Sequence, residues 1–289
     1  MHYIQTKNAI EMQNLSNFTI NEILECGQCF RFEKSSGGFY GIIAFGKALN
    51  VHQDGQNVRF WYDNDILTPD DFEHLWVPYF DLGRDYSAII SHICKDDPTM
   101  STAANFAPGI RLLQQDPWEM LISFIISQNN RIPQIKKVIA SICERFGKQI
   151  YDGIYAFPTP NELYKATEQD LRDCKAGFRA RYILDAAQKA AAGLLPLDRT
   201  TQTPTADLRK NLLEIMGVGE KVAHCILLFG YGRFDSFPVD TWVQKVMQQY
   251  YFDGKDVRPA EIYKFATEKF GEYSGFAQQY LFHYMRTQK

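Results

Sequence analysis

The sequence lacks an excess of positive charge. Its 289 residues contain 31 lysines and arginines against 34 aspartates and glutamates, which gives a formal net charge of −3 at pH 7. Proteins that hold nucleic acid with their whole surface are usually strongly basic. Bulk charge therefore excludes that class, and any contact with DNA would have to use local geometry, such as backbone amides and a few arginines.

Long apolar runs, low-complexity tracts and internal repeats are also missing. No stretch approaches the roughly 20 apolar residues that a membrane-spanning helix needs, and residues 1–14 are largely polar, unlike a signal peptide. Hydrophobic residues make up 45% of the chain and charged residues 22%, which is an ordinary globular composition. The sequence thus predicts an intracellular protein that does not contact a membrane.

Cysteines are few and supply only one close pair. Cys26 and Cys29 have the separation of a redox or zinc motif, but there is no second pair to complete a tetrahedral site. A thioredoxin-type pair usually opens a helix, whereas this one leads into an aromatic stretch at 30–32. We therefore favour reduced thiols and keep a redox or metal role as the minor alternative. The six cysteines are Cys26, Cys29, Cys94, Cys143, Cys174 and Cys225.

What the sequence does contain is a change of periodicity near residue 66. Residues 17–64 read as strands, with Gly-Lys and Asp-Gly turn signals between aromatic and β-branched runs. Beyond that point, apolar residues recur at the 3.6-residue helical period. The pattern predicts an α+β protein with an antiparallel β-rich domain at 1–105 and a helical domain at 106–289. Helices are predicted from Pro117 and at 135–146, 161–166, 168–174, 180–192, 205–216, 221–231, 241–250, 259–270 and 274–285.

The most informative segment runs from Leu212 to Val243. It has a glycine hairpin at 217–219 between two helical patterns, Lys221 at the start of the second pattern, and Asp240 19 residues later. Glycines let backbone amides approach a phosphate closely. A lysine at a helix N-terminus meets the positive end of the dipole, which favours the nucleophilic amine. An aspartate can offset positive charge that develops nearby.

This segment resembles the helix-hairpin-helix and Gly/Pro-Asp signature of DNA glycosylases. Marker positions of the bifunctional 8-oxoguanine DNA glycosylase branch also match, from residue 27 to residue 282. The resemblance implies the same two-part fold and the removal of 8-oxoguanine from duplex DNA. Lys221 would attack C1′, the base would be expelled, and β-elimination through the imine would cut the strand. The matching residues are Gly27, Asn129, Asn130, Arg179, Cys225, Gln278 and Phe282.

Both proposed catalytic residues also have structural explanations. Lys221 could simply be a solvated lysine on the first turn of a helix. Asp240 is well suited to cap the helix that begins at Thr241, and an N-cap position would lower its pKa and keep the carboxylate ionised. The resemblance adds the stabilisation of an oxocarbenium-like sugar by this carboxylate.

The hairpin carries two further expectations from the resemblance. Its backbone amides should bind a DNA phosphate, and nearby carbonyls should hold a structural cation that bridges to that phosphate. The sequence does not identify the cation, because backbone oxygens suit several hard ions. The DNA-binding residues expected here are Gly217, Val218, Gly219 and Trp242, and the carbonyls are those of Leu213, Ile215 and Val218.

Base recognition is assigned by the resemblance to four residues. The N7 atom of 8-oxoguanine carries a proton that guanine lacks, so a carbonyl at Gly27 would bond to the lesion and repel guanine. Gln278 would read the Watson–Crick edge of the flipped base. Phe282 and Cys225 would lie against its two faces. The alternative for these two residues is simple core packing, because both residue types are often buried.

The opposite strand would be met by residues after the helix that begins at Pro117. Asn129 and Asn130 would fill the gap left by the flipped base, although asparagine is also common at helix C-termini. The sequence departs from the family here: Gln134 and Phe178 replace an arginine and a tyrosine. Arg131 and Arg179 remain to read the orphaned base. We therefore expect a weaker preference for cytosine opposite the lesion.

The expected partner is double-stranded DNA that contains 8-oxoguanine, and the protein is expected to act as a monomer. No cofactor should be required, and an iron-sulfur cluster is not expected because no cysteine follows Cys225. Two other functions stay open at this point. One is a helix-hairpin-helix glycosylase for another damaged purine, against which Lys221 argues. The other is a non-catalytic helix-hairpin-helix module, which would need neither Asp240 nor Gly27.

Overall fold

A computed structural model describes residues 2–288. The N-terminal part contains a six-stranded antiparallel sheet in the order β1-β2-β6-β5-β4-β3. Its β4–β5 turn uses Phe45 and Gly46, both with positive φ, as tight hairpins require. The strands are β1 (Ile4–Gln5), β2 (Ala9–Met12), β3 (Phe32–Lys34), β4 (Tyr40–Ala44), β5 (Lys47–Asp54) and β6 (Asn57–Trp61).

The prediction of strands throughout 17–64 is wrong at one place. Residues Ile20–Glu25 form helix α1, because Ile20, Ile23 and Leu24 lie on one buried face at helical spacing. Strand β2, which lies outside that range and pairs with β6, is not predicted by the sequence pattern. The sheet packs its apolar side against the π-helical turn Phe72–Trp76 and α3 (Val77–Tyr79), and these elements share one hydrophobic core. The short helix α2 (Pro69–Asp71) precedes them and buries no side chain.

The rest of the chain is helical and has a second hydrophobic core. Its centre is α6, which Asp116 caps through a 2.8 Å bond from the Glu119 amide and which Pro117 opens. The helices up to residue 191 are α4 (Tyr86–Ile93), α5 (Pro98–Phe106), α6 (Pro117–Ser127), α7 (Ile132–Phe146), α8 (Pro160–Tyr164), α9 (Glu168–Asp173) and α10 (Ala180–Ala191). A small unpredicted hairpin, β7 (Gln149–Tyr151) and β8 (Ile154–Tyr155), follows α7.

Five helices complete the chain, and they position most of the predicted site. They are α11 (Thr205–Leu213), α12 (Glu220–Phe229), α13 (Thr241–Tyr251), α14 (Pro259–Phe270) and α15 (Ser274–Thr287). Helix α15 packs against α5 and α13, and it reaches the N-terminal part through a bond from Gln279 to the Cys26 carbonyl. Within residues 2–288, no helix has both the length and the apolar character for crossing a bilayer. The α+β class and the order of a sheet followed by helices are confirmed.

Candidate active site

A narrow cavity of about 50 Å³, here called the central pocket, lies where α12, α13 and α15 meet the turn after α1. A purine base therefore requires the pocket to widen. The lining residues are Gly27, Phe124, Lys221, Cys225, Phe229, Pro238, Asp240, Gln278, Gln279 and Phe282. Six of these ten are residues that the sequence analysis singled out for chemistry or base recognition.

Lys221 lies on the first turn of α12, two residues after Gly219, which is the N-cap. Its Nζ is 5.3 Å from the centre of the Phe124 ring, and its charge partly opposes the rise that burial causes in the pKa of the Cys225 thiol one turn later. Among the ion pairs of residues 2–288, none includes Lys221. The amine is thus held in an apolar and helix-terminal environment without a carboxylate in direct contact.

Asp240 is the N-cap of α13. Its Oδ1 atom accepts hydrogen bonds from the amides of Trp242, at 3.0 Å, and Val243, at 2.8 Å. The expectation that capping lowers its pKa is wrong in net direction. Burial raises the pKa of Asp240 above its ordinary value, and the two amides together with the charges of Lys221 and Arg286 only partly oppose this effect.

Gly27 follows α1 in a turn that no other residue type would fit easily. Its φ is +88°, and a Cβ atom there would come within 2.7 Å of Nη1 of Arg286 and 3.1 Å of Cε1 of Phe282. The turn is held by buried amide side chains: Gln279 donates to the Cys26 carbonyl at 3.0 Å, and Gln28 donates to the Arg111 carbonyl at 2.7 Å. The position of the Gly27 backbone is therefore fixed from several sides.

Gln278 contributes an unsatisfied polar atom to the central pocket. The residue is only 4% exposed, and its Oε1 atom has no hydrogen-bond partner within the described chain. A buried amide oxygen without a donor is costly, and such atoms call for an explanation. A ligand that brings a hydrogen-bond donor into the pocket would supply one.

Residues that the sequence analysis missed also shape the pocket. Phe124 and Gln279 line it, and Arg286 covers Gly27 from outside. Arg286 follows Phe282 by four residues on α15, so the helical period could have drawn attention to it. Gln279 could not have been found this way, because its partner lies 253 residues away in the sequence.

The hairpin between α11 and α12 turns tightly on Gly217. Its φ is +80°, and a Cβ atom there would overlap the Tyr182 ring. The Val218 amide donates to the Ile215 carbonyl at 3.0 Å, and the Met216 amide donates to the Asp185 carboxylate at 2.7 Å. Leu213 ends α11, where carbonyls lack donors from their own helix. The Trp242 ring lies on the first turn of α13, with the ammonium of Lys245 5.1 Å from its centre.

A second surface, here called the asparagine face, is a shallow depression lined by Asn129, Asn130, Arg131 and Gln134. Asn129 is exposed and has a φ of +48°, and the Asn130 side chain donates to the Ile126 carbonyl at 3.2 Å. The Arg131 side chain is exposed, and among residues 2–288 it joins no ion pair. This face has polar groups that are free to meet a partner.

Phe178 and Arg179 lie beside this face but differ sharply in exposure. Phe178 is 44% exposed, whereas Arg179 is only 8% exposed. The Arg179 guanidinium donates to the carbonyls of Gln128, Asn129 and Ala176, and burial lowers its pKa. In the absence of DNA, Arg179 thus supports the backbone of the asparagine face, and its guanidinium does not extend into solvent where it could contact a base.

The Cys26–Cys29 pair does not have the properties of a redox or metal motif. Both thiols are buried and unbridged, and burial raises the pKa of Cys26 to about 11 and that of Cys29 well above its ordinary value. Reactive cysteines have lowered pKa values and some exposure. Throughout residues 2–288, no group of three or more His, Cys, Asp or Glu side chains is arranged to hold a metal ion.

Two family models match adjoining parts of the chain. The model described as "8-oxoguanine DNA glycosylase, N-terminal domain" matches residues 12–121. The model described as "HhH-GPD superfamily base excision DNA repair protein" matches residues 122–272. Together they cover both the sheet and the helices that form the central pocket.

Individual proteins are similar over most of their length. The N-glycosylase/DNA lyase of Saccharomyces cerevisiae is 31% identical over 263 residues, which is 82% of this chain and 69% of the yeast protein. A probable N-glycosylase/DNA lyase of Methanothermobacter thermautotrophicus is 30% identical over 72% of each chain. The crystal structure of Clostridium acetobutylicum 8-oxoguanine glycosylase/lyase with DNA that contains cytosine opposite 8-oxoG is 42% identical. Its TM-score is 0.92, with 99% of this chain and 98% of that chain covered.

Proposed function

The chain belongs to the 8-oxoguanine DNA glycosylases of the HhH-GPD superfamily, and we infer from this membership that it is a bifunctional glycosylase and lyase. It removes 8-oxoguanine from duplex DNA and then cleaves the strand at the resulting site. The observation that carries the residue assignments is the central pocket, where a lysine, an aspartate and aromatic side chains line one cavity. The roles proposed for single residues follow from that geometry.

We propose that Lys221 is the nucleophile. Its free amine attacks C1′ of the flipped nucleotide, a C–N bond forms, and the glycosidic bond breaks with its electron pair leaving on the base. None of the ion pairs in residues 2–288 includes Nζ, which supports this role because no salt bridge has to break before the amine reaches C1′. The C1′ amine then becomes an imine as the sugar ring opens. Loss of a C2′ proton expels the 3′ phosphate by β-elimination.

Asp240 stabilises the positive charge that develops on the sugar as the base departs. Its two bonds to the α13 amides use Oδ1, so the cap does not engage Oδ2. Lys221 is also close enough to favour the ionised form of this carboxylate. Lys221 and Asp240 thus place a nucleophile and an anionic group in the same pocket.

Recognition of the lesion depends on the turn at Gly27 and on the amide of Gln278. The fixed backbone at Gly27 supports its carbonyl as the acceptor for the N7 proton of 8-oxoguanine. The unsatisfied Oε1 of Gln278 supports a contact with donors on the Watson–Crick edge of the base. Phe282 and Cys225 enclose the base from its two faces once the pocket has widened.

On the other side of the duplex, the asparagine face meets the orphaned base. The exposed amide of Asn129 and the half-buried amide of Asn130, which donates to the Ile126 carbonyl, suit the space left by a flipped nucleotide. Arg131 is the exposed guanidinium next to them, whereas Arg179 is committed to backbone carbonyls and orders the loop. One exposed arginine provides little discrimination, so we propose a weak preference for cytosine opposite the lesion.

The hairpin binds the DNA backbone through the amides of Gly217, Val218 and Gly219, and Trp242 lies against the DNA. The carbonyls of Leu213, Ile215 and Val218 fit a hard cation by donor type, because backbone oxygens are the ligands such ions prefer. A cation there would supply positive charge for a phosphate. We propose that the enzyme needs neither an iron-sulfur cluster nor another cofactor, and that it works inside the cell as a monomer.

Borohydride trapping tests this proposal directly. The enzyme is mixed with a duplex that contains 8-oxoguanine opposite cytosine, and reduction of the imine should give a covalent protein–DNA adduct. Lys221→Gln should give no adduct and no strand cleavage but should still bind the duplex. Lys210→Gln, which removes an exposed lysine from α11, is the matched control and should trap normally.

Three results would overturn the assignment. An adduct with Lys221→Gln would mean that another amine is the nucleophile. Wild-type enzyme that binds lesion DNA without excision would favour the non-catalytic module, and excision of an alkylated purine without an adduct would favour the other glycosylase class.

A further inference from the structure

Arg286 lies on the last turn of α15 and contacts both walls of the central pocket. Its Nη2 atom donates to the Glu25 carbonyl, two residues before Gly27. Its Nη1 atom lies 2.7 Å from the point where Gly27 would carry a Cβ. Its Cζ atom is 5.2 Å from the centre of the Phe282 ring. One guanidinium thus touches the turn and the aromatic ring together.

The charge of Arg286 is not neutralised by a direct ion pair. None of the salt bridges in residues 2–288 includes it, and burial lowers its pKa while Cys26, Asp240 and Glu25 act in the opposite direction. A partly buried cation without a carboxylate in contact is costly to maintain, because its desolvation is not offset by a close anion. Its position at the pocket therefore calls for a role.

We propose that Arg286 is a positioning residue for lesion recognition, which clamps the Gly27 turn against Phe282 and places a positive charge at the pocket that Asp240 also lines. The inference rests on the proposed function and adds a residue to it. A guanidinium suits this place because it is planar, can stack on a ring and can donate in its own plane at the same time. A lysine supplies the charge but cannot do both.

The clamp affects the choice between 8-oxoguanine and guanine. These bases differ at N7 by the direction of one hydrogen bond, so selection depends on where the Gly27 carbonyl lies. When the guanidinium is removed, the turn loses its contact with α15 through Arg286 and can move away from the base. We expect the ratio of 8-oxoguanine to guanine excision to fall roughly tenfold, which corresponds to one hydrogen bond.

The charge affects the dependence of the reaction on pH. The groups that act on Asp240 are Lys221 and Cys225 from α12, Arg286 from α15, and the amides that it caps on α13. Arg286 favours the carboxylate form, so its loss raises the pKa of Asp240 further. Because the reaction needs the ionised form, the acidic limb of the rate profile should move to higher pH.

Three variants separate these effects in single-turnover assays on 8-oxoguanine and guanine duplexes between pH 5 and 8. Arg286→Met keeps the apolar stem and should lose selectivity and shift the acidic limb. Arg286→Lys keeps the charge, so it should lose selectivity and leave the acidic limb unmoved. Arg59→Met is the matched control, because Arg59 also stacks on an aromatic ring, 5.8 Å from Trp61, but on the exposed sheet.

Unchanged selectivity in both Arg286 variants would overturn the clamp, and an unmoved acidic limb in Arg286→Met would overturn the charge effect. Thermal unfolding of each variant shows whether a loss of selectivity is caused by instability. If Arg286→Met is unstable, the selectivity of Arg286→Lys, compared with wild type of similar stability, tests the clamp. Failure of the proposed function would look different, since wild-type enzyme would then give no borohydride adduct at all.

Discussion

The central pocket and the asparagine face differ in how firmly their polar groups are held. In the pocket, the Gly27 turn is fixed by Gln28 and Gln279, and its volume is about 50 Å³. On the asparagine face, Asn129 and Arg131 are exposed, and the depression they line is about 560 Å³ and shallow. The difference indicates that the Gly27 turn is positioned before DNA binds, although the pocket still has to widen for the base, whereas the exposed side chains of Asn129 and Arg131 can reorient when they meet DNA. Organised groups provide more selectivity, because less entropy is lost when they bind.

The largest effect that would sharpen this comparison comes from Asp240. Asp240→Asn should slow base excision by on the order of 10²–10³-fold, because the amide can still cap α13 but cannot offset charge on the sugar. Single-turnover excision with saturating enzyme measures this rate apart from binding. Asp116→Asn is the matched control, since Asp116 caps α6 through a similar bond and does not line the central pocket. Equal losses in the two variants would show that capping alone explains the effect.

Gly27→Ala should have the next largest effect. The added Cβ meets Arg286 and Phe282 and the residue stays at positive φ, so excision of 8-oxoguanine should fall about 10- to 100-fold and selectivity over guanine should fall with it. Gly153→Ala is the control for backbone strain alone. Its φ is +72° in the β7–β8 turn, and an added Cβ would meet nothing within 4 Å. If the position of the Gly27 turn does not matter, Gly27→Ala and Gly153→Ala will excise 8-oxoguanine and guanine at similar rates to each other.

The smallest effect is expected on the asparagine face. Arg131→Ala should change the ratio of excision opposite cytosine to excision opposite adenine by only about two- to fivefold. An exposed arginine loses side-chain entropy when it orders on a base, which offsets much of the ~1–3 kcal/mol of a good base contact. Rates on four duplexes that differ only in the opposite base provide the measurement. A change of 100-fold or more would break the comparison, because it would mean that this face is as selective as the pocket.

The sequence predicted the fold well where local signals are strong. The helical period located α6 to α15 within a few residues, and the turn signals located the β4–β5 and β5–β6 hairpins. It failed at α1, which is short and lies among strands, and at β7–β8, where two short strands interrupt a helical region. It also missed β1 and β2, which precede the predicted strands, and α4 and α5, which lie within the predicted β-rich domain. Short elements are stabilised mainly by tertiary packing, so local propensity does not reveal them.

The candidate site divides in the same way. Lys221 and Asp240 could be named from spacing around the hairpin, but the raised pKa of Asp240 depends on burial, which no local pattern reports. Arg179 was expected to contact the orphaned base because its position matched the family pattern, yet its guanidinium donates hydrogen bonds to three backbone carbonyls. Gln279 was missed because its partner, the Cys26 carbonyl, lies 253 residues away, whereas the helical spacing between Phe282 and Arg286 could have drawn attention to that arginine. Side chains that act across distant segments are visible only once the chain is folded.

The bond from Gln279 to the Cys26 carbonyl joins residues 253 positions apart, and it has a consequence for the order of folding. The hairpin and α12 involve neighbouring segments and can form early, since short loops close with little entropy loss. The Gly27 turn can be fixed only after α15 has docked, so a growing chain would gain its DNA-binding hairpin before its ability to distinguish bases. Local unfolding of α15 in the folded protein would likewise release the Gly27 turn and remove the ability to distinguish bases. Hydrogen exchange should therefore show that α15 and the Gly27 turn open together as one cooperative unit.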